Sequence, residues 1–245
     1  MRYGKRCIAF VFSLVFCLST CMNVSAQDIE QQSETGIGEI EGNVKENIYQ
    51  VVLPTVANEA FDFIIDPQGL INKTDGAAYK GETFSEDSTV FFKRTDGKVK
   101  EDYSNSSDEI TITNMSSVAI KVSVNISISE ASLGGIAMTE DKEFTDDIST
   151  SLYMALIDGE NVKPIGKEGI SFDVEIEAAP EGAYEYSYDS EQDKYNYRLT
   201  DDISGIEFHK YTFQLTGAAN GKGDWSQLDD VAPEINVAWK ISPVN

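Results

Sequence analysis

His209 is the only histidine in the sequence, so any histidine-centred chemistry must pass through it. It shares strand parity with Tyr211, Phe213 and Leu215, which predicts a half-buried strand histidine with one hydrogen bond. A hydrolytic triad needs a serine and a carboxylate converging on such a histidine, and no Gly-x-Ser-x-Gly elbow offers the serine. Carboxylates are abundant: 42 Asp and Glu against 19 Lys and Arg. A glycosidase needs two of them at a set separation across a cleft, but with so many candidates spacing nominates no pair. They read as solvated acidic faces and loops. The doublets Glu140-Asp141, Asp146-Asp147, Asp201-Asp202 and Asp229-Asp230 do not fit the Asp-x-Asx-x-Asx-Gly calcium loop. A structural calcium ion stays open with no site assigned, and no other cofactor is expected. The glycine-rich stretch 216–224 (TGAANGKGD) lacks the Lys-Ser/Thr ending of a phosphate loop and reads as a surface loop. No catalytic residue is assigned, and the expectation is a protein that is not an enzyme.

The aromatic residues offer binding rather than reaction. Residues 183–188 and 194–200 predict a hairpin around residues 189–193. Tyr184, Tyr186 and Tyr188 face one way on its first arm, as do Tyr195, Tyr197 and Leu199 on its second. Candidate ligand-binding residues are Tyr184, Tyr186, Tyr195 and Tyr197, together with Trp225 and Trp239. Such rings stack on sugars, and they also pair across strands for purely structural reasons. Residues 176–184 (IEAAPEGAY) are similar to the Glu-x-x-Ala-Pro-x-Gly-Tyr box of isopeptide-bonded pilin and adhesin domains. Here Glu177 stands too near Pro180, and Ala183 separates Gly182 from Tyr184, so no such bond is expected.

All three cysteines, Cys7, Cys17 and Cys21, fall in the first 21 residues. Arg2, Lys5 and Arg6 precede an uncharged apolar run at residues 7–22, and Val24-Ser25-Ala26 supplies small residues for cleavage. This is the layout of a secretory signal peptide, and the run is shorter than the roughly 20 residues of a spanning helix. Residues 1–26 are therefore expected to be removed, leaving a mature chain without cysteine and without a transmembrane helix. A second route is legible in Leu18-Ser19-Thr20-Cys21, which resembles a bacterial lipobox; lipidation of Cys21 would anchor the protein to a membrane. Residues 1–26 carry three of the 19 basic residues and none of the acidic ones, so their loss leaves a formal charge of −26. That charge disfavours nucleic acid, whose phosphates require clustered Lys and Arg. It suits an exported protein kept soluble by self-repulsion.

The elements that must position these residues are strands. Residues 27–46 are polar and acidic, without periodicity, and read as a flexible spacer. From residue 47 onward β patterning recurs. Val118, Ile120, Val122, Val124, Ile126 and Ile128 alternate with small, polar or charged residues across 118–129, which puts one face in a core. Residues 170–178 repeat this, with Ile170, Phe172, Val174, Ile176 and Ala178 inward. So does the end of the chain, with Ile235, Val237, Trp239 and Ile241. Residues 61–65, 89–94, 109–113 and 207–215 predict further strands. Residues 152–157, apolar on both faces, predict a central one. Short helical turns are expected at 145–151 and 224–229. About ten strands with frequent turns predict an all-β antiparallel sandwich of Ig-like or jelly-roll type, with short helical elaborations. No linker divides residues 47–245, which read as one elaborated domain. Residues 132–150, a long loop or a boundary, are the alternative division point.

Two segments carry a family resemblance. Residues 109–128 (EITITNMSSVAIKVSVNISI) resemble the strand, Asn-x-Ser turn, strand hairpin of exported Gram-positive β-sandwich proteins of the camelysin and matrix-fibre type. Residues 237–243 (VAWKISP) resemble the Trp-x-Leu ending of WxL cell-wall-binding domains, with Ile241 in place of Leu. Residues 224–228 (DWSQL) are loosely similar to that family's second Trp motif at a different spacing. The resemblance implies a non-catalytic, secreted or cell-surface protein of a Gram-positive cell envelope. It would serve attachment, adhesion or extracellular assembly, with a cell-wall polymer or other surface proteins as partners and self-assembly open. A carbohydrate-binding module using the Tyr and Trp faces is the alternative, and a secreted hydrolase comes last.

Overall fold

The computed structural model describes residues 45–54, 60–74, 76, 88–94, 103–145, 148–226 and 233–244. The expected signal peptide and most of the spacer lie outside the described residues. So do the doublets Asp146-Asp147 and Asp229-Asp230.

Among the described residues fourteen strands follow in order: β1 (Val51–Val52), β2 (Phe63–Ile65), β3 (Val90–Lys93), β4 (Tyr103–Ser104), β5 (Ile110–Asn114), β6 (Ile120–Ile128), β7 (Ala137–Thr139), β8 (Ser151–Asp158), β9 (Asn161–Pro164), β10 (Ile170–Ile176), β11 (Tyr184–Asp189), β12 (Lys194–Leu199), β13 (His209–Ala219) and β14 (Ile235–Pro243). The fold is all-β, built from antiparallel sheets packed together. One sheet runs β1-β5-β13-β8-β7, with β9 also on β8. The second is β10-β6-β14, and the third is β2-β3-β4. The pair β7–β8 is parallel.

Period-two patterning creates the core. Ile120, Val122, Val124 and Ile126 of β6 are essentially inaccessible, and the residues between them face outward or partly so. They pack with Ile110 and Ile112 of β5, Leu152, Met154 and Leu156 of β8, and Phe213 and Leu215 of β13. Ile170, Phe172 and Val174 of β10 and Val237, Trp239 and Ile241 of β14 close the layer from the second sheet. Burying an aliphatic or Phe side chain of this kind contributes about 1.5–3 kcal/mol, so a chain with no cysteine in the described region relies on this core. β8 is buried along its first six residues, as its apolar run on both faces predicts.

Four expectations are corrected. β5 and β6 do not pair with each other: β5 lies between β1 and β13, and β6 between β10 and β14. The Asn114–Ser117 turn is therefore a corner that carries the chain from one sheet to the other, not a hairpin. The stretch 216–224 is only partly a loop, because residues 216–219 continue β13 opposite β8. Gly217 permits this: a Cβ there would meet Met154 Sδ at 2.7 Å and Val90 Cγ1 at 3.1 Å. The described parts of 145–151 and 224–229 are not helical. Among the described residues the helical turns are α1 (Leu70–Lys73) and a 3₁₀ turn at Glu130–Ser132. Asp66 seeds α1 by accepting the Leu70 and Ile71 N–H groups at 2.8 Å on its two carboxylate oxygens. Finally, His209 is exposed at the start of β13 rather than half-buried, with Nε2 3.6 Å from Glu177 Oε2.

Candidate functional site

The hairpin β11–β12 carries the densest set of nominated residues. Its register places Tyr184 opposite Leu199, Tyr186 opposite Tyr197 and Tyr188 opposite Tyr195. Directly opposed residues of an antiparallel pair share a face, so five tyrosines and Leu199 form one ladder. Tyr184 stacks on Tyr197, with ring centroids 5.1 Å apart at 22°. Tyr186 tilts against Tyr197 at 4.9 Å, and Tyr188 against Tyr195 at 4.9 Å. The ladder is half-buried at its base and wet toward its tip: Tyr186, Tyr188 and Tyr195 are 73%, 52% and 63% exposed.

The turn that closes the hairpin is made by aspartates. Asp189 Oδ1 accepts the Glu191 and Gln192 N–H groups at 2.9 and 3.2 Å. Asp193 adopts a left-handed φ of 52°, a conformation Asp tolerates better than most residues. Tyr188 Oη donates to Asp193 Oδ1 at 2.5 Å; this bond raises the Tyr188 phenol above its usual range. On the other face Arg198 bonds Glu185 at 2.8 Å and both carboxylate oxygens of Asp201 at 3.0 and 3.1 Å.

The base is tied to the sandwich. Ala183 is fully buried, and Tyr184 Oη donates to the Met115 carbonyl at 2.6 Å, in the corner between the sheets. Burial first, and Tyr197 second, push the Tyr184 phenol up to about 12. A phenol raised in the folded state contributes stability below its unfolded value near 10 and loses it as pH climbs from there to about 12. The phenolate cannot donate to Met115. After discounting for solvent screening, on the order of 1 kcal/mol is involved. Absorbance titration at 295 nm should show a late-ionising tyrosine near pH 12 that Tyr184→Phe removes.

Sequence reasoning nominated four rungs of this ladder but left out Tyr188, whose parity already placed it there. It missed Lys45, whose Nζ lies 4.1 Å from the Tyr197 ring centroid; the hydrogen bond to Tyr197 is the main cause that raises the Lys45 pKa. The two tryptophans are elsewhere. Trp225 is half-buried against the core and donates to the Asn220 carbonyl at 2.8 Å. Trp239, on the inner side of β14, meets Phe213 edge-on at 6.5 Å. Neither joins the ladder.

Among the described residues no group of three or more His, Cys, Asp or Glu is placed to hold a metal ion. A concavity of about 220 Å³ beside β8 and β13 is lined by Glu109, Ile157, Gly159, Thr212, Phe213 and Gln214. Its single carboxylate makes no acid–base pair. No helix among the described residues is long and apolar enough to cross a membrane. Comparisons with protein-family models, with curated proteins and with solved structures find no match.

Proposed function

We propose that this is a non-catalytic, exported or cell-surface β-sandwich protein that attaches, adheres or assembles outside the cell, with the tyrosine ladder as its contact surface. The observation that carries this reading is the strip of Tyr186, Tyr188 and Tyr195, left wet on a hairpin that pairs with no other described strand. Large exposed aromatic groups favour association, and tyrosine is among the residues that dominate contact energies. Partners are a cell-wall polymer or other surface proteins. The likeness to WxL and camelysin-type proteins supports the same compartment through short motifs alone.

Sugar stacking is the second reading. Rings 4.9–5.1 Å apart turn part of their faces toward one another, leaving edges and hydroxyls outward. This favours an irregular polymer or protein contact over the flat platform a pyranose ring needs. Purified peptidoglycan sacculi should retain the mature protein, and the Tyr186→Ala/Tyr188→Ala/Tyr195→Ala variant should be retained at least about tenfold less. Unchanged retention would move the contact elsewhere. Ladder-dependent signal on a glycan array would favour the sugar reading. Polysaccharide cleavage abolished by one Asp or Glu substitution would overturn the non-enzymatic reading.

A further inference from the structure

We infer that the partner of the tyrosine ladder is a basic, lysine-bearing extended polypeptide segment, seated by cation–π contacts. This rests on the ladder being the contact surface and adds the chemistry of what it contacts. Three observations carry it. First, the ladder already holds a cation: Lys45 Nζ sits 4.1 Å from the Tyr197 centroid, well inside the roughly 6 Å range of cation–π attraction. A lysine supplied by the protein itself thus occupies the base, while the outer three rungs are exposed.

Second, the surroundings favour positive charge. Residues 181–207 contain eight Asp and Glu against two Lys and Arg, within a chain of net charge −23. Of the two basic residues, Arg198 is engaged by Glu185 and Asp201 on the opposite face. A second copy of this chain, equally acidic, would be repelled.

Third, the spacing suits an extended chain. Tyr186 and Tyr188 are alternate residues of one strand, hence about 6.8 Å apart. Alternate side chains of an extended partner repeat at the same interval. β11 and β12 also pair with no other described strand, so each has an outer edge along which a partner backbone can lie.

The probe is a fluorescent decapeptide of alternating lysine and serine, read by anisotropy at physiological ionic strength against the mature protein. The control is the same peptide with glutamate for lysine. The lysine peptide should bind and the glutamate peptide should not. Exposed cation–π contacts give about two- to fivefold per ring, so Tyr186→Leu/Tyr188→Leu/Tyr195→Leu should weaken binding at least about tenfold. The corresponding triple Phe variant, which keeps the rings, should stay within about threefold. Asp173→Asn with Glu175→Gln on β10, away from the hairpin, should change it less than about twofold.

Equal binding by the wild type and the triple Leu variant would reduce the attraction to net charge and overturn the inference. Loss in the triple Phe variant as well would assign recognition to the hydroxyls and overturn it too. If sacculi retain the protein through the ladder while the lysine peptide does not bind, this inference fails and the contact-surface reading stands.

Discussion

Asn114→Ala is expected to destabilise the protein by about 3–5 kcal/mol. Asn114 is fully buried where β5 ends. Its Nδ2 donates to the carbonyls of Val118, Ile176 and Glu177 at 3.0, 3.2 and 2.8 Å. Its Oδ1 accepts the Ser116 N–H at 2.9 Å. One amide thus satisfies the turning backbone and holds it to the end of β10. The two amide hydrogens are shared among three carbonyls; alanine removes both donors and the acceptor of the Ser116 N–H, and the buried groups at Ile176 and Ser116 each cost about 1–3 kcal/mol if left unmade. Asn114→Asp keeps the volume but replaces the donor with an acceptor facing three carbonyls, and should be no better than alanine. Guanidinium unfolding should show both midpoints falling at unchanged slope. A loss under 1 kcal/mol for alanine would mean the corner is held by something else.

The same corner carries the candidate site. Gln50 N–H donates to Ser116 Oγ at 2.9 Å, and Ile48 N–H to Ser117 Oγ at 2.9 Å. Ala179 N–H donates to the Ser116 carbonyl at 2.8 Å, and Tyr184 reaches Met115. The segment that brings Lys45 toward the ladder and the first rung of the ladder are thus tied to one four-residue turn. Hydrogen exchange across residues 184–199 should therefore accelerate in Asn114→Ala, beyond what global destabilisation requires.

Strands whose two faces differ in polarity were legible because period two needs only local sequence. β6, β10 and β14 are of this kind, and parity set the tyrosines of each hairpin arm on one face; the register that pairs Tyr186 with Tyr197 and Tyr188 with Tyr195 came only from the fold. The same parity argued against Trp239 as a surface residue, since it falls in phase with Ile235, Val237 and Ile241; residue type was weighed above position. β1, β4, β7 and β9 have two to four residues, too few to show a period. The sheet switch at Asn114 was hidden for a different reason. A short polar turn serves a hairpin or a corner equally well, and what decides between them here is contact with Ile176 and Glu177, far along the chain. Lys45 on Tyr197 is equally non-local. Local alternation therefore reports which side of a strand is wet, while partner strands and site neighbours are set by contacts that no window of the sequence contains.

Gly169→Ala is expected to cost about 3 kcal/mol or more, and its comparison with Gly182→Ala isolates the cause. Gly169 has φ +74° and its N–H closes a turn onto the Gly166 carbonyl at 3.0 Å, just before β10 enters its ladder with Ile170 opposite Ile126. Left-handed backbone alone costs a non-glycine residue about 1–2 kcal/mol. A Cβ at Gly169 would in addition stand 2.3 Å from the Ile126 carbonyl oxygen and 3.1 Å from Ser127 Cα. Both are backbone atoms of the central strand of their sheet, so neither can move without disturbing β6 and the fully buried Ile126. Gly182 has a similar φ of +88° but nothing within 4 Å of its would-be Cβ. Its alanine variant should lose only the conformational part, about 1–2 kcal/mol. The difference in unfolding free energy between the two variants measures the steric part directly. Equal losses would show that β10 can shift away from β6 at its entry, and that the register of the second sheet is set further along, at Phe172 and Val174.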